Sequence, residues 1–322
     1  MGNCRDVTVE QAAKLLLESD KVLLICHMKP DGDTFGSGFA LLYGLQQLGK
    51  TARIECSDGF PARYDFLYPG FQPQSRPAFE PQLVVAVDIA DTQLFGEGTG
   101  CWSGRVDLCI DHHPSNTRYA KQLLLDSKAA ATAEIVTKLL DRMGVPVSGL
   151  IASALYTGLT TDTGCFRYSN VTPQSHLLAA RLIETGIDSF SINKKMFETK
   201  SVAKIKLEQM VMDTLEYHYG NKVAIIEISL PMLEATHVPE EDLEGIASIP
   251  RQIEGVEVGI TLKQKEPELF RISVRTNERV NASELCARLG GGGHARAAGC
   301  TLKGDSAQVK AQLLDALQAD FI

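Results

Sequence analysis

The sequence has no excess of basic residues, no long apolar run and no basic-then-apolar leader. Its net charge is −8, with 32 Lys and Arg against 40 Asp and Glu, so a basic face that binds long nucleic acid through its phosphates is not expected. The apolar runs are shorter than a membrane span. We therefore expect a cytoplasmic protein that binds neither a membrane nor a long nucleic acid, and a short anionic substrate stays compatible with bound cations.

Clustered cysteines are also lacking. The 8 cysteines show neither Cys-x-x-Cys nor zinc-finger spacing, and Cys26 and Cys109 lie inside apolar runs, so we expect buried thiols in a reducing compartment. The length of 322 residues is enough for two domains with separate cores.

A histidine and two aspartates are concentrated in residues 27–33, directly after the apolar run of residues 22–26 and before a helical pattern. The order predicts a strand, a ligand-bearing loop and a helix. Imidazole and carboxylate groups bind divalent cations well. Gly32 is expected to let Asp31 and Asp33 point at different neighbours, which suits two cations better than one.

Two further predicted strands end in the same way. Asp88 follows residues 83–87, and Asp111 to His113 follow residues 106–110. Because ligands gather outside the carboxyl ends of parallel strands, these groups should converge on one crevice. Asp162, expected in a Thr-Asp-Thr-Gly loop after a helix at 150–160, adds another carboxylate.

Each of these residues taken alone has an ordinary structural explanation. An aspartate after a strand commonly caps a helix or forms a turn, and a histidine pair can lie in a solvated loop. The combination favours a metal site, because crowded carboxylates repel one another unless cations neutralise them.

The remaining patterns predict two α/β domains. Apolar strands separated by helices indicate a doubly wound parallel sheet in the first. We expect a catalytic domain at 1–190, a helical linker at 191–220 and a smaller substrate-binding domain at 221–322. The other expected elements are helices at 8–19, 39–49, 129–143, 201–217, 281–289 and 306–319, strands at 52–56, 222–228, 256–262 and 269–275, and an irregular connection at 58–82.

These motifs resemble those of the DHH phosphoesterase superfamily, in the same order. The pattern His27-x-x-Pro30-Asp31-x-Asp33, the lone Asp88, Asp111-His112-His113 and Asp162 carry the resemblance. Residues 131–136 and 156–168 resemble the NrnA-type branch, the bacterial oligoribonucleases that also act as pAp phosphatases. Residues 289–299 resemble the GGGH signature of the DHH-associated substrate domain.

The resemblance implies a role for each matching residue. His27 and Asp31 would hold one divalent cation, Asp33, His112 and Asp162 a second, and Asp88 would bridge both. His113 would contact the scissile phosphate, and Asp111 would orient a histidine. Asp88, His113 and Asp111 thus form the expected catalytic set. The expected substrate-binding residues of the second domain are Arg275, Gly291, Gly292, Gly293 and His294.

The implied activity is hydrolysis of short RNA to 5′-mononucleotides, or of pAp to AMP, by a water that two cations activate. Manganese suits the mixed ligands best, with magnesium or cobalt as substitutes. A soluble phosphodiesterase for pApA or c-di-AMP and a non-catalytic nucleotide sensor are the alternatives. A pyrophosphatase would lack the GGGH run. Relatives often carry an arginine soon after the second motif, which residues 88–95 lack. The oligomeric state stays open, with a homodimer as one option.

Overall fold

The computed structural model describes residues 4–70, 79–243 and 245–321. The chain divides into two compact units, Met1–Thr199 (unit 1) and Lys200–Ile322 (unit 2). Of the expected connection at 58–82, residues 71–78 lie outside the described part, and residues 62–67 form a short 3-10 helix. Every helix within the described residues is too short or too polar to cross a bilayer.

Unit 1 is built on a parallel sheet. Its strands are β1 (Arg5–Asp6), β2 (Val22–Cys26), β3 (Ala52–Cys56), β4 (Leu83–Val87), β5 (Leu108–Asp111) and β6 (Gln122–Leu125). They lie in the order β1-β6-β5-β4-β2-β3, and the pairings are parallel. The predicted strands β2, β3 and β4 are confirmed, while β1 and β6 were not predicted.

Both faces of this sheet are buried. The helices of unit 1 are α1 (Val9–Glu18), α2 (Gly32–Gln47), α3 (Gly96–Thr99), α4 (Thr132–Arg142), α5 (Gly149–Asp162), α6 (Pro173–Glu184) and α7 (Ser189–Asn193). Val22 and Leu24 of β2 pack into the core that contains α2, α4 and α5, whereas Leu23 and Ile25 pack into a second cluster on the opposite face. A strand buried on both sides reads as an unbroken apolar run, and the predicted α/β fold is confirmed.

Helix α2 begins seven residues earlier than the predicted start at 39. Asp31 caps it by accepting hydrogen bonds from the backbone N–H groups of Asp33 and Thr34. Gly32 is not in the left-handed region, but a Cβ atom there would overlap the Thr161 side chain of α5. The expected reason for this glycine is therefore wrong: close packing of α2 against α5 requires it.

Unit 2 has a mixed sheet in the order β11-β12-β10-β9-β8-β7, in which only the β8–β9 pairing is parallel among the described strands. Its strands are β7 (Glu216–His218), β8 (Val223–Ile228), β9 (Val258–Glu266), β10 (Leu269–Thr276), β11 (Gly292–His294) and β12 (Ala297–Lys303). Its helices are α8 (Val202–Met212), α9 (Leu230–Thr236), α10 (Ala282–Arg288) and α11 (Ser306–Phe321).

The predicted helix at 201–217 is too long. Helix α8 ends at Met212, and Glu216 to His218 pair with β8 as the edge strand β7. Leu207 and Val211 on its buried face pack against β8 and α9, so α8 is part of the core of unit 2.

Candidate metal centre

The sheet order places the candidate ligands of unit 1 at one point. The chain runs from β2 to β3 on one side and then returns to β4 on the other side of β2. This reversal opens a crevice beyond the carboxyl ends of β2 and β4, where parallel α/β sheets bind ligands. His27 follows β2 at this edge, and Asp88 follows β4.

Asp88 occupies the middle of the site. It is 2% exposed, and its φ of 61° lies in the left-handed region. Its Oδ2 lies 3.8 Å from Nε2 of His27, and its Oδ1 lies 3.8 Å from Nε2 of His112. Oδ1 also accepts a hydrogen bond of 2.8 Å from the Thr132 hydroxyl. The two oxygens of one carboxylate therefore face two different histidines.

One group of possible ligands consists of His27, Asp31 and Asp88. Nδ1 of His27 lies 2.8 Å from the carbonyl oxygen of Met28. A carbonyl only accepts, so Nδ1 carries the proton and Nε2 faces the carboxylates, 3.6 Å from Oδ1 of Asp31. This orientation is the one that a metal-binding imidazole adopts.

A second group consists of Asp33, His112 and Asp162. Nδ1 of His112 lies 3.2 Å from the carbonyl oxygen of Ala129, which again directs Nε2 into the site. That buried Nε2 lies 3.1 Å from Oδ2 of Asp162 but has no aligned hydrogen-bond partner among the described residues. Nε2 of His112 and Oδ2 of Asp162 are thus close together without an aligned hydrogen bond, which is compatible with both atoms binding the same cation.

Asp33 is held by the start of α4. Its Oδ2 accepts a hydrogen bond from the Thr132 amide at 2.6 Å, and its Oδ1 accepts one from the Ala133 amide at 3.0 Å. The Ser37 hydroxyl donates a third bond of 3.1 Å to Oδ1. The partial positive charge of a helix N-terminus stabilises a carboxylate at this position.

Asp111 lies behind the two histidines that follow it. It is fully buried, and its Oδ1 accepts bonds from the His112 amide at 2.8 Å and from Nδ1 of His113 at 2.7 Å. Asn116 donates to its other oxygen at 2.6 Å. His113 is therefore held through Nδ1, its Nε2 has no hydrogen-bond partner among the described residues, and its side chain is 40% exposed. His113 also forms a third possible ligand group with Asp88 and His112.

The crowding of these groups shifts their pKa values. Burial raises the pKa of Asp88 to about 7, with the charge of Asp31 adding to the effect. Burial and the charges of Asp88 and Asp162 raise the pKa of Asp33. Burial alone would lower the pKa of His112, but contact with Asp162 and the charges of Asp33 and Asp88 raise it to about 10. The negative charges of these carboxylates are thus stabilised by binding either protons or divalent cations.

His27 shows the same effect. Burial alone would lower its pKa, but the contact with Asp31 and the charges of Asp31 and Asp88 raise it to about 9. Both candidate imidazole ligands are therefore doubly protonated and positively charged at neutral pH when no cation is present.

The structure brings together every predicted residue of unit 1, although Asp162 is the last residue of α5 and not part of a loop. Sequence reasoning assigned no role to Thr132, Ser37 or Asn116, which hold Asp88, Asp33 and Asp111. Only Thr132 carried a signal, because it lies in the 131–136 motif.

In unit 2, Arg275 on β10 is half-buried and donates to its neighbour Val274. His294 and the two glycines before it form the exposed strand β11. The Gly291 amide donates to the Cys286 carbonyl at 2.8 Å, so this N–H is already bonded within the unit. A Cβ atom at Gly291 would overlap Gly299 and Cys300. Gly291 thus permits close packing of the turn on β12.

Two family descriptions match the chain. "DHH family, N-terminal domain" matches residues 21–159, and "DHHA1 domain" matches residues 220–321. The "Bifunctional oligoribonuclease and PAP phosphatase NrnA" of Thermus thermophilus is 31% identical over 310 residues, covering 93% of this chain and 90% of that protein. The protein of the same name from Bacillus subtilis is 24% identical, covering 88% of this chain and 90% of that protein.

Solved structures share the fold. An exopolyphosphatase-related protein from Bacteroides fragilis superposes with a TM-score of 0.88 at 23% identity, covering 97% of this chain and 95% of that one. RecJ of Thermus thermophilus, solved in complex with Mn²⁺, gives a TM-score of 0.55 at 16% identity, covering 96% of this chain and 55% of that one.

Proposed function

Because the chain belongs to the DHH family of phosphoesterases, with a DHH domain and a DHHA1 domain, we propose that it hydrolyses short oligoribonucleotides to 5′-mononucleotides and pAp to AMP. The observation that carries this proposal is the position of Asp88, whose two oxygens each lie 3.8 Å from Nε2 of a histidine, His27 in the first ligand group and His112 in the second. Similarity to named oligoribonucleases over 93% of the chain supports the choice of substrate.

The residues present fit two divalent cations. His27 and Asp31 would hold one and Asp33, His112 and Asp162 the other, with Asp88 between them. Such cations supply positive charge to the phosphoryl oxygens and lower the pKa of water. Manganese suits this set of imidazole and carboxylate ligands, which contains no thiolate.

The surrounding residues prepare the site for an anionic substrate. Asp111 holds the His113 ring by its Nδ1–H, and the side chain is 40% exposed, so this ring would be available to contact the scissile phosphate. In unit 2, Arg275 and His294, with the amides of Gly292 and Gly293, would bind the nucleotide away from the cleaved bond.

The test is a turnover assay of the purified protein with Mn²⁺ on pAp, pApA, a five-nucleotide RNA, c-di-AMP and pyrophosphate at equal concentration. We expect AMP from pAp, mononucleotides from the linear RNAs, and no cleavage of pyrophosphate. Cleavage of pyrophosphate alone would overturn the proposed substrate class. Cleavage of c-di-AMP in preference to the linear substrates would favour a cyclic-dinucleotide phosphodiesterase, and no turnover with bound nucleotide would favour a sensor.

A further inference from the structure

The loop between α5 and α6 starts beside the candidate metal centre with an unusual backbone. Gly164, Cys165 and Phe166 follow one another in the left-handed region, with φ values of 56°, 56° and 62°. Two of the three carry a β-carbon, for which this region is unfavourable. Asp162 lies two residues before this run. Strained backbone of this kind persists only where the surrounding structure imposes it, and it is concentrated at functional sites.

Hydrogen bonds hold this loop in one conformation. The Thr163 carbonyl accepts from the amides of Arg167 at 2.9 Å and Tyr168 at 3.1 Å. The Asn170 side chain donates to the carbonyls of Ala130 at 2.9 Å and Asp162 at 3.1 Å. The loop is therefore fastened to the end of α5, which carries Asp162, and to Ala130, whose neighbour Ala129 contacts the His112 ring.

An exposed aromatic ring lies on this hydrogen-bonded loop. Tyr168 is 54% exposed, and its ring packs on Gly164 so closely that a Cβ atom there would overlap it. The phenyl ring of Phe166, by contrast, stacks on His176 with ring centroids 5.0 Å apart. One aromatic residue of the loop is thus used for packing, while the other presents its ring to solvent on a glycine support.

Arg167, which precedes Tyr168 in the chain, adds a positive charge that is also held against Gly164. Its Nε donates to the Gly164 carbonyl at 2.6 Å, and its other guanidinium nitrogens have no partner among the residues the structure describes. An exposed ring with a cation beside it is the combination that binds single-stranded nucleic acid, because bases stack on aromatic faces and phosphates pair with guanidinium groups.

We propose that Tyr168 stacks on a nucleobase of the substrate and so sets the preference of this centre for nucleotides over base-free phosphate esters. Arg167 places its charge beside the phosphate of the same nucleotide. The inference rests on the proposed function and adds to it a specificity-determining residue in unit 1.

The test measures kcat and KM of Tyr168→Ala and Tyr168→Phe on pApA and on two analogues, each lacking one of the two bases. We expect Tyr168→Ala to lower kcat/KM on pApA about tenfold or more, the loss that removal of one base–aromatic stack causes. This loss should disappear on the analogue that lacks the stacked base. Tyr168→Phe keeps the ring and should stay within about twofold of the wild type.

Tyr217→Ala is the matched control, because Tyr217 is 45% exposed on β7 of unit 2. The shift in melting temperature on adding Mn²⁺ should be the same in all variants. An equal loss by Tyr168→Ala on all three substrates would overturn the inference, as would wild-type kcat/KM of this variant on pApA. If the wild type cleaves neither pAp nor pApA, the proposed function itself fails, and this inference with it.

Discussion

The candidate residues of the two units differ in burial and in charge. In unit 1 they are carboxylates and imidazoles around a buried centre: Asp33 and Asp111 are 0% exposed and Asp88 is 2% exposed, while the His113 side chain is 40% exposed. In unit 2 they are exposed or half-buried. Arg275 carries a positive charge, and the glycines of strand β11 have no side chain that would cover their backbone. Burial, together with the charge of Arg251, lowers the pKa of Arg275.

The difference separates two tasks. Burying several ionised carboxylates together costs free energy unless cations neutralise them. Arg275 and Arg251, by contrast, are positively charged and favour binding of an anion. We therefore expect the metal dependence to come from unit 1 and part of the substrate affinity from unit 2.

The largest effect is expected for Asp88→Asn. Asparagine tolerates the left-handed backbone of this position, so the fold should persist while the carboxylate facing both histidines is lost. We expect kcat/KM on pApA to fall about 1,000-fold or more, equivalent to about 4 kcal/mol, with weaker Mn²⁺ binding by calorimetry. Asp91→Asn is the control, because Asp91 only caps a 3-10 turn. Near-wild-type turnover of Asp88→Asn would remove the basis of the two-cation site.

Cation binding to unit 1 should depend strongly on pH. The pKa values of about 9 for His27 and about 10 for His112 mean that both rings are protonated at pH 7 without metal. A binding cation must displace those protons, so affinity should increase as pH rises, by about tenfold per pH unit for each proton released. Between pH 6 and 8 this amounts to about 100-fold for one proton. Calorimetry in buffers of different ionisation enthalpy counts the protons, and a count of zero would contradict the assignment of these histidines.

Thr132→Val tests the support of the centre. The change removes the hydroxyl that donates to Asp88 but keeps the amide that donates to Asp33. Loss of such a supporting bond should weaken Mn²⁺ binding about 30-fold, within the range known for residues that orient metal ligands. Thr137→Val on the same helix is the control, since its hydroxyl donates only to the Ala133 carbonyl. Equal behaviour of the two variants would show that the Thr132 hydroxyl has no influence on the ions.

His294→Ala should show the smallest effect, and a different kind of effect. If unit 2 binds substrate without touching metal, KM for pApA should rise about tenfold while kcat and Mn²⁺ binding stay unchanged. His237→Asn is the control, because His237 is exposed at the end of α9 and asparagine accepts its left-handed backbone. A loss of Mn²⁺ affinity in His294→Ala would break the division of tasks between the units.

The sequence was sufficient to predict which side chains of unit 1 meet at the candidate centre, because strand ends are visible in it. His27, Asp88 and Asp111 end or follow apolar runs, and parallel strands with such ends must share an edge. The supporting residues were not predictable in this way. Thr132 bonds to Asp88, which is 44 residues away in the sequence. In the sequence, Ser37 and Asn116 resemble ordinary polar surface residues, and only the fold shows that they bond to Asp33 and Asp111.

The missed elements have a physical reason as well. Strand β1 has two residues and β11 consists of Gly-Gly-His, so neither has the alternating pattern or side chains that mark a strand. Pairing with β6 and β12 makes them strands. The end of α8 was predicted too late because residues 213–217 continue a helical pattern, while the pairing of Glu216 to His218 with β8 decides their conformation.

Asp31 and Asp33, which follow β2 in one turn, connect this edge of the sheet to helices α2 and α4 through hydrogen bonds. Asp31 caps α2, and Asp33, two residues on, is bound by the first amides of α4. A variant of Asp33 would therefore disturb the folded framework together with the chemistry, and its inactivity would be ambiguous. For crystals with an uncleaved substrate, Asp162 is the better residue to change. It is the last residue of α5, its side chain is 27% exposed, and it does not hold α2 or α4 in place.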